Sequence, residues 1–118
     1  MQKRVIKYTD YDGVPREENH FFNISKPELI RLELEFPAGL EATINSFIAN
    51  EDKQQIMHFF ERLIFTAFGI RTPTGQFIKT EEALIVFKNS KAYETLFMEL
   101  LTDTQKAINF FEAVMPSE

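Results

Sequence analysis

The sequence predicts an α+β fold that is mainly α-helical, with an N-terminal β-hairpin followed by about six helices in one bundle-like domain. Two segments near the N-terminus are rich in β-branched and aromatic residues and flank a turn-forming segment. Downstream, helix-capping residues recur in front of apolar stretches with helical spacing. No repeat or low-complexity linker divides the 118 residues. We therefore expect one domain over residues 1–118, with the hairpin in residues 1–25 and helices in residues 26–118.

The two strands of the hairpin are predicted at residues 4–8 and 19–24. Between them, residues 10–15 combine Asp, Gly and Pro, which favour a turn. A two-stranded hairpin is only marginally stable in water. We therefore expect the hairpin to lie on an apolar surface that the downstream helices provide.

Residues 25–36 carry two conflicting patterns. Ser25, Pro27 and Glu28 have the types and spacing of a helix start, where a capping box satisfies free N–H groups. The apolar residues that follow alternate with charged ones, as in a half-buried strand: Ile30, Leu32, Leu34 and Phe36. We favour a short helix because the capping box is the more specific pattern, and a strand over residues 29–36 remains the alternative.

Two helices are predicted between residues 40 and 68. The first has an apolar face made of Leu40, Ile44, Phe47 and Ile48. The second, which we expect to be the central helix, begins near Glu51 and has the apolar stripe Ile56, Phe59, Phe60, Leu63, Ile64 and Ala67. Met57, Phe65 and Phe68 add apolar surface on its other sides, so we expect this helix to be enclosed.

The central helix is predicted to end at Gly69, which can adopt the left-handed conformation of a helix terminus. Residues 72–75 then form a turn within the longest irregular stretch of the chain.

Three helices are predicted after Gly75. Thr80 caps the first, whose apolar face is Ala83, Leu84 and Phe87. The second has the apolar residues Tyr93, Leu96, Phe97, Leu100 and Leu101. A capping box at residues 102–105 starts the third, which has the apolar residues Ala107, Ile108, Phe111, Val114 and Met115 and stops at Pro116.

The composition argues against several classes of function. The net charge is −5 and no dense Lys/Arg cluster is present, so a nucleic-acid partner is not expected. The absence of Cys excludes disulfides and thiol chemistry. No stretch approaches the roughly 20 apolar residues of a membrane span, so we expect no membrane partner.

The reactive side chains do not form a motif of catalysis or metal binding. His20 and His58 are far apart in sequence, and neither belongs to a ligand spacing such as His-x-x-x-His. Asp10 and Asp12 resemble part of a calcium loop, but its terminal Glu is missing and turn hydrogen bonds explain them better. We therefore expect no enzyme activity, no cofactor and no metal.

What remains is apolar surface in excess near the carboxyl end. Phe110 and Met98 lie off the apolar stripes of their predicted helices, so both could face outward and bind a partner. The alternative is a multi-helix core that buries them on a second side. The hypothesis of partner binding covers six residues: Phe77, Tyr93, Phe97, Met98, Phe110 and Met115.

Three segments of the chain resemble the tail assembly chaperones of long-tailed bacteriophages, particularly those of phages and prophages of Gram-positive hosts. Residues 92–103 are similar to the family's Ala-Tyr-x-x-Leu-Phe-Met-Glu-Leu segment, which is the most specific match. Residues 75–82 resemble its turn and helix start, and residues 22–29 its strand-to-helix junction. Residues 36–39 and 85–87 depart from the family in residue type.

The resemblance implies a non-enzymatic role in the cytoplasm of the infected bacterium and absence from the finished virion. It implies that the protein holds the tape measure protein soluble and brings tail tube protein to it. It also implies self-association, and in this family a ribosomal frameshift often produces a longer form that binds the tube protein. The competing hypothesis is a structural virion protein, such as a small tail connector or terminator subunit.

Overall fold

The computed structural model describes residues 1–116 and contains one antiparallel sheet with the strand order β1-β2-β3-β4. The N-terminal hairpin provides β1 (Gln2–Thr9) and β2 (Pro15–Phe22). Two short strands, β3 (Phe68–Arg71) and β4 (Phe77–Ile78), extend the sheet beyond β2.

Helices make up most of the remaining chain. They are α1 (Lys26–Glu35), α2 (Leu40–Ala49), α3 (Lys53–Ala67), α4 (Glu81–Lys88), α5 (Lys91–Thr102) and α6 (Thr104–Val114). Only Asp103 separates α5 from α6, and when these two are joined the described residues contain five helices, against the predicted six. No helix within residues 1–116 is long and apolar enough to cross a membrane.

The N-terminal hairpin is confirmed, with strands longer than predicted. Gln2 lies opposite Phe22 and Thr9 lies opposite Pro15. The turn is fixed by Asp10, whose Oδ1 accepts hydrogen bonds from the N–H groups of Asp12 and Val14, both at 2.9 Å. This is the turn role that the sequence predicts for the acidic residues of this segment.

The conflict over residues 25–36 is resolved in favour of the helix. The Ser25 hydroxyl accepts from the Glu28 N–H at 3.3 Å, and the Glu28 carboxylate accepts from the Ser25 N–H at 2.9 Å, which completes the capping box. Leu32 is buried, whereas Ile30 and Leu34 are 58% and 80% exposed. The alternating pattern therefore reflects apolar residues on the surface of α1 and not the two faces of a strand.

The prediction that Gly69 ends the central helix in a left-handed conformation is wrong, and two short strands lie within the segment 26–118 that was predicted to be helical. Gly69 does not adopt a left-handed conformation; it lies in β3, after α3 has ended at Ala67 and the chain has become extended. A Cβ at Gly69 would overlap with the Phe77 ring and lie 2.9 Å from the Ile78 carbonyl oxygen. Glycine is needed here because the side chain of β4 packs directly on the backbone of β3.

The sheet and the helices share one hydrophobic core. Ile6 and Phe22 lie on the inner face of the sheet, which packs on the helices. Just after β2, the Asn23 N–H donates to the Ala67 carbonyl and the Ile24 N–H to the Val114 carbonyl, both at 2.8 Å. The largest fully buried side chains are Phe22, Ile24, Ile44, Leu63, Ile64, Leu96, Leu100, Phe111 and Val114.

Candidate functional site

A groove between α3 and α5, lined by apolar and charged side chains, is the candidate functional site. It has two adjacent parts, with Met57 in both. The part next to α2 has a volume of about 340 Å³ and is lined by Ile48, Lys53, Ile56, Met57, Phe60, Leu101 and Thr104. The part next to the hairpin turn has a volume of about 360 Å³ and is lined by Tyr11, Met57, Glu61, Lys88, Asn89, Ser90, Tyr93, Glu94, Phe97 and Met98. We call the two parts together the α3–α5 groove.

The walls of the α3–α5 groove carry exposed apolar side chains. Met57 is 41% exposed and Met98 is 48% exposed, and Ile48 at the α2 end is 43% exposed. Phe60 and Phe97 are buried beneath them. Because methionine is unbranched and polarisable, its side chain can adjust to the shape of a partner. The groove therefore combines a packed aromatic floor with adaptable walls.

Helix α5 positions its part of the groove through the helical repeat. The Ser90 hydroxyl caps the helix by accepting from the Tyr93 N–H at 3.2 Å. Tyr93 and Phe97 are four residues apart, so they lie on the same side of α5, with ring centroids 5.6 Å apart. Leu96 and Leu100 point into the core. Helix α5 thus has one apolar face that packs in the core and a second apolar face that lines the groove.

Tyr93 is a partly buried polar residue of the groove wall. Its ring packs against Phe65 and Phe87, with centroid distances of 5.1 and 5.6 Å. Burial raises the pKa of Tyr93 well above its usual value, and the negative charge of Glu61 raises it further. Tyr93 therefore offers a partner an uncharged phenol throughout the physiological pH range.

The hairpin turn closes one end of the groove. The Tyr11 hydroxyl donates to the Asn89 carbonyl at 3.2 Å, and Lys91 Nζ lies 5.1 Å from the centroid of the Tyr11 ring. Tyr11 is nevertheless 74% exposed. The aromatic residue of the turn therefore extends the apolar surface of the groove while attaching the hairpin to the α4–α5 junction.

Charged residues of both signs line the groove. Lys53 and Lys88 are balanced by Glu61 and Glu94. A partner with a large excess of one charge gains nothing from this arrangement. The selectivity of the groove must therefore come from apolar contact and shape.

Three of the six predicted partner-binding residues lie in this groove: Tyr93, Phe97 and Met98. The sequence left open whether Met98 and Phe110 face outward or are buried on a second side. Met98 is exposed, whereas Phe110 is only 3% exposed and follows the alternative of a multi-helix core. The Phe110 ring packs edge-on against Phe22 at 5.2 Å, since the sheet covers the side of α6 that a single helix would leave open.

The other two predicted residues lie at separate places. Phe77 is on β4, where its ring covers Gly69. Met115 lines an apolar pocket of about 130 Å³ between α1 and α3, together with Leu29 and Phe59. The structure therefore does not bring the six residues into one surface. Their role in partner binding stays a prediction.

Sequence reasoning missed the contribution of α3 to the site. The prediction of an enclosed helix is wrong at Met57, which is exposed. Met57 lies off the stripe that contains Phe59 and Phe60, which is the same signal that pointed to Met98. Ile48, by contrast, belongs to the predicted apolar face of its helix, and no signal in the sequence distinguishes it from a core residue.

Comparison with known proteins identifies a family. A family model described as phage tail assembly chaperone matches residues 1–118. No curated protein and no solved structure matches the chain. Within residues 1–116, no group of three or more His, Asp or Glu side chains is arranged to hold a metal ion.

Proposed function

Because the chain belongs to the phage tail assembly chaperone family, we propose that it binds the tape measure protein through the α3–α5 groove and keeps that protein soluble. The role is non-enzymatic. Family membership supports a chaperone role in tail assembly. The choice of the tape measure protein as the partner rests on the family resemblance, and the choice of surface rests on the groove.

The observation that carries the choice of surface is the pair of exposed methionines on opposite walls of the groove, Met57 and Met98. An apolar helix of a partner can place side chains between them, because grooves of this kind accept residues spaced at i, i+3, i+4 and i+7. Several copies of the chain along one tape measure protein would cover its apolar surface. Tube subunits would displace the copies as the tube grows.

The experiment is co-expression with the tape measure protein encoded by the same phage. We expect the wild-type chain to raise the soluble fraction of the tape measure protein and to co-purify with it. The double variant Met57→Glu/Met98→Glu places two charges in the groove, where a bound apolar helix would have to desolvate them. We expect the amount of co-purified tape measure protein to fall by at least about tenfold.

The matched control is Val86→Glu/Ile85→Glu, which adds two charges at exposed apolar residues of α4. The control should retain binding, and both double variants should keep the wild-type far-UV circular dichroism spectrum. Equal binding by the groove variant and the wild type would rule out the groove. Insolubility of the tape measure protein with and without the wild-type chain would count against the proposed function itself.

We further propose that the chain self-associates and acts in the cytoplasm of an infected Gram-positive host. A frameshifted longer form would recruit the tail tube protein. The nucleotide sequence around the gene tests the frameshifted form and the host. We expect an overlapping reading frame at its 3′ end, followed by a very long gene for the tape measure protein, in a phage or prophage of such a host. Absence of both features would contradict the proposal.

The alternative function is a structural virion protein, such as a connector or terminator subunit of the tail. Exposed apolar surface suits an assembled subunit as well as a chaperone. Mass spectrometry of purified virions separates the two. A chaperone is absent from the particle, whereas a connector or terminator is present at a fixed copy number.

A further inference from the structure

The sheet has a second face, and that face is directed away from the helices. Cross-strand partners in an antiparallel pair lie on the same face, so the register places Lys3 beside Phe21 and Arg71 beside Phe77. Strand alternation adds further residues of β1 to the same side. The same register places Asn19 beside Val5 and the Glu17 carboxylate beside Lys7 on this face. We call its cationic and apolar residues the outer sheet face: Lys3, Val5, Lys7, Phe21, Arg71 and Phe77.

The outer sheet face is positively charged, although the whole chain has a net charge of −5. Within residues 1–116, neither Lys3 nor Arg71 has a carboxylate at ion-pair distance, and Lys7 has only Glu17 at 4.0 Å. On the inner face of β1, by contrast, Arg4 forms an ion pair with Glu99. Lys3 and Arg71 therefore have no carboxylate partner within these residues, and the Arg71 guanidinium donates to the Gly75 carbonyl at 3.0 Å. Because a guanidinium has five N–H donors, Arg71 can still pair with an external anion, as can Lys3.

Apolar side chains lie between these cations. Val5 is 45% exposed, and Phe21 and Phe77 are partly exposed. The guanidinium carbon of Arg71 lies 5.9 Å from the centroid of the Phe21 ring. Cationic groups and apolar side chains are therefore interspersed on a single sheet surface.

We propose that the outer sheet face docks an acidic segment of another protein, with carboxylates on Lys3 and Arg71 and an apolar side chain on Val5 and Phe21. Charge complementarity carries the choice of partner, because an anionic segment would meet two cations without carboxylate partners here, whereas the rest of the chain has a net negative charge. None of the six residues lines the α3–α5 groove. This second docking surface is therefore independent of the proposed tape measure site.

Protein is favoured over single-stranded nucleic acid as the occupant for two reasons. Three cations, one of them near Glu17, are few for following a phosphate backbone. Base stacking needs open aromatic faces, but the Phe77 ring packs on Gly69 and Arg71 lies over the Phe21 ring. Carboxylates and aliphatic side chains can bind to this face without stacking on an open aromatic ring.

The test uses the full chain and three fluorescent probes. The first is a soluble synthetic peptide in which Glu alternates with Val and Phe, the second is the same peptide with Lys for Glu, and the third is oligothymidylate. Anisotropy measures binding, and amide shifts of the ¹⁵N-labelled protein locate the bound peptide. We expect the acidic peptide to bind and its affinity to fall with added NaCl. Binding should shift the amide signals of Lys3, Val5, Phe21 and Arg71.

The charge-reversal variant is Lys3→Glu/Arg71→Glu, and the matched control is Lys26→Glu/Arg31→Glu. The control exchanges one exposed lysine and one exposed arginine on α1, so both variants have the same net charge. We expect the affinity for the acidic peptide to fall by at least about tenfold in the first and by less than about twofold in the second. The amide spectrum of each variant reports whether it is folded.

Four results would overturn the proposal. The first is equal affinity of the acidic and basic peptides. The second is undiminished binding of the acidic peptide by a folded Lys3→Glu/Arg71→Glu variant, and the third is amide shifts confined to other surfaces. The fourth is binding of oligothymidylate without binding of the acidic peptide, which would assign the face to nucleic acid.

Discussion

Gly69 shows how one residue directs the path of the chain after α3. The position has no side chain, so β3 can pair with β2 while the Phe77 ring from β4 crosses above it. The sequence alone does not show why glycine is required here, because the space that a side chain would need is occupied by the Phe77 ring, eight positions later in the chain. A helix terminus and a close backbone approach are both common uses of glycine.

We predict that Gly69→Ala destabilises the fold by about 1–3 kcal/mol, because the new methyl group overlaps with the Phe77 ring and crowds the Ile78 carbonyl. Urea unfolding followed by circular dichroism measures the change. When Phe77 is already replaced in a Phe77→Leu variant, Gly69→Ala should lower the free energy of unfolding by less, since the smaller leucine side chain can move aside. Equal costs in both backgrounds would show that the ring is not the obstacle.

His20 is a polar residue inside the aromatic cluster beneath the sheet. Its ring centroid lies 5.2 Å from that of Phe87 and 6.5 Å from that of Phe68. Its Nε2 is shielded from solvent and has no hydrogen-bond partner in residues 1–116, although Glu18 Oε1 lies 3.3 Å away. Burial lowers the pKa of His20, and the Glu18 carboxylate offsets only part of this effect.

We predict that His20 makes the fold less stable in mild acid. Because the pKa is lower in the folded state than the usual value of about 6.5 in the unfolded chain, the unfolded state binds more protons between these two values. The free energy of unfolding should therefore fall as the pH drops below about 6.5. The variant His20→Phe should show a shallower decline in urea unfolding at pH 7.5 and 5.5, and an unchanged slope would contradict the prediction.

At the scale of elements, Lys79 connects four parts of the fold. Its ammonium group donates to the Asn23 carbonyl after β2 at 2.7 Å, to the Thr66 carbonyl of α3 at 2.6 Å and to the Glu28 carboxylate of α1 at 2.6 Å. Lys79 itself follows β4 directly. Burial alone would raise the pKa of Glu28, but hydrogen bonds from Lys79 and Ser25 outweigh it and keep the pKa below its usual value.

We predict that Lys79→Met lowers the free energy of unfolding by about 1–3 kcal/mol, because two carbonyls and a carboxylate lose their shared donor. The control Lys53→Met changes an exposed lysine that has no ion pair in the described part of the chain. Chemical denaturation of both variants provides the comparison. Similar stabilities for the two would mean that Lys79 contributes no more than an ordinary surface lysine.

Helix starts were predictable from the sequence because capping is a local interaction. Ser25 and Thr80 cap their helices as predicted. The last helix begins one residue later than the predicted capping box, since Thr102 still belongs to α5 and Asp103 accepts from the Lys106 N–H at 3.1 Å. Strands β3 and β4 were not predictable, because they have few residues and depend on tertiary pairing: β3 pairs with the distant strand β2, and β4 pairs with β3.

At the scale of the whole molecule, surface residues were harder to predict than core residues. Helical periodicity identifies the residues that form the apolar face of a helix, and it correctly places Leu63 and Leu100 in the core. It cannot say whether a second element covers the other side. A sheet covers Phe110, whereas Met98 has no such neighbour, and both have the same kind of position in the sequence.

We predict that residues 1–118 unfold in one cooperative transition, because the hairpin and helices from both halves of the chain share one core. Far-UV circular dichroism would follow the helices, and the near-UV tyrosine signal of a Tyr93→Phe variant, whose remaining tyrosines are Tyr8 and Tyr11, would follow the hairpin. The two transitions should coincide in urea. Loss of the tyrosine signals at lower urea than the helical signal would show that the hairpin is a separate unit.

The corner at Asp103 limits how this chain can change in length. Helix α6 carries Phe110 and Phe111 into the core from a start that is one residue beyond α5. Since a helix turns by about 100° per residue, a single insertion that lengthened α6 from this corner would move Phe111 to the exposed position that Glu112 now holds, and Phe110 to that of Phe111. Insertions and deletions among relatives should therefore avoid this corner and accumulate in the turn after β1, where the chain is exposed.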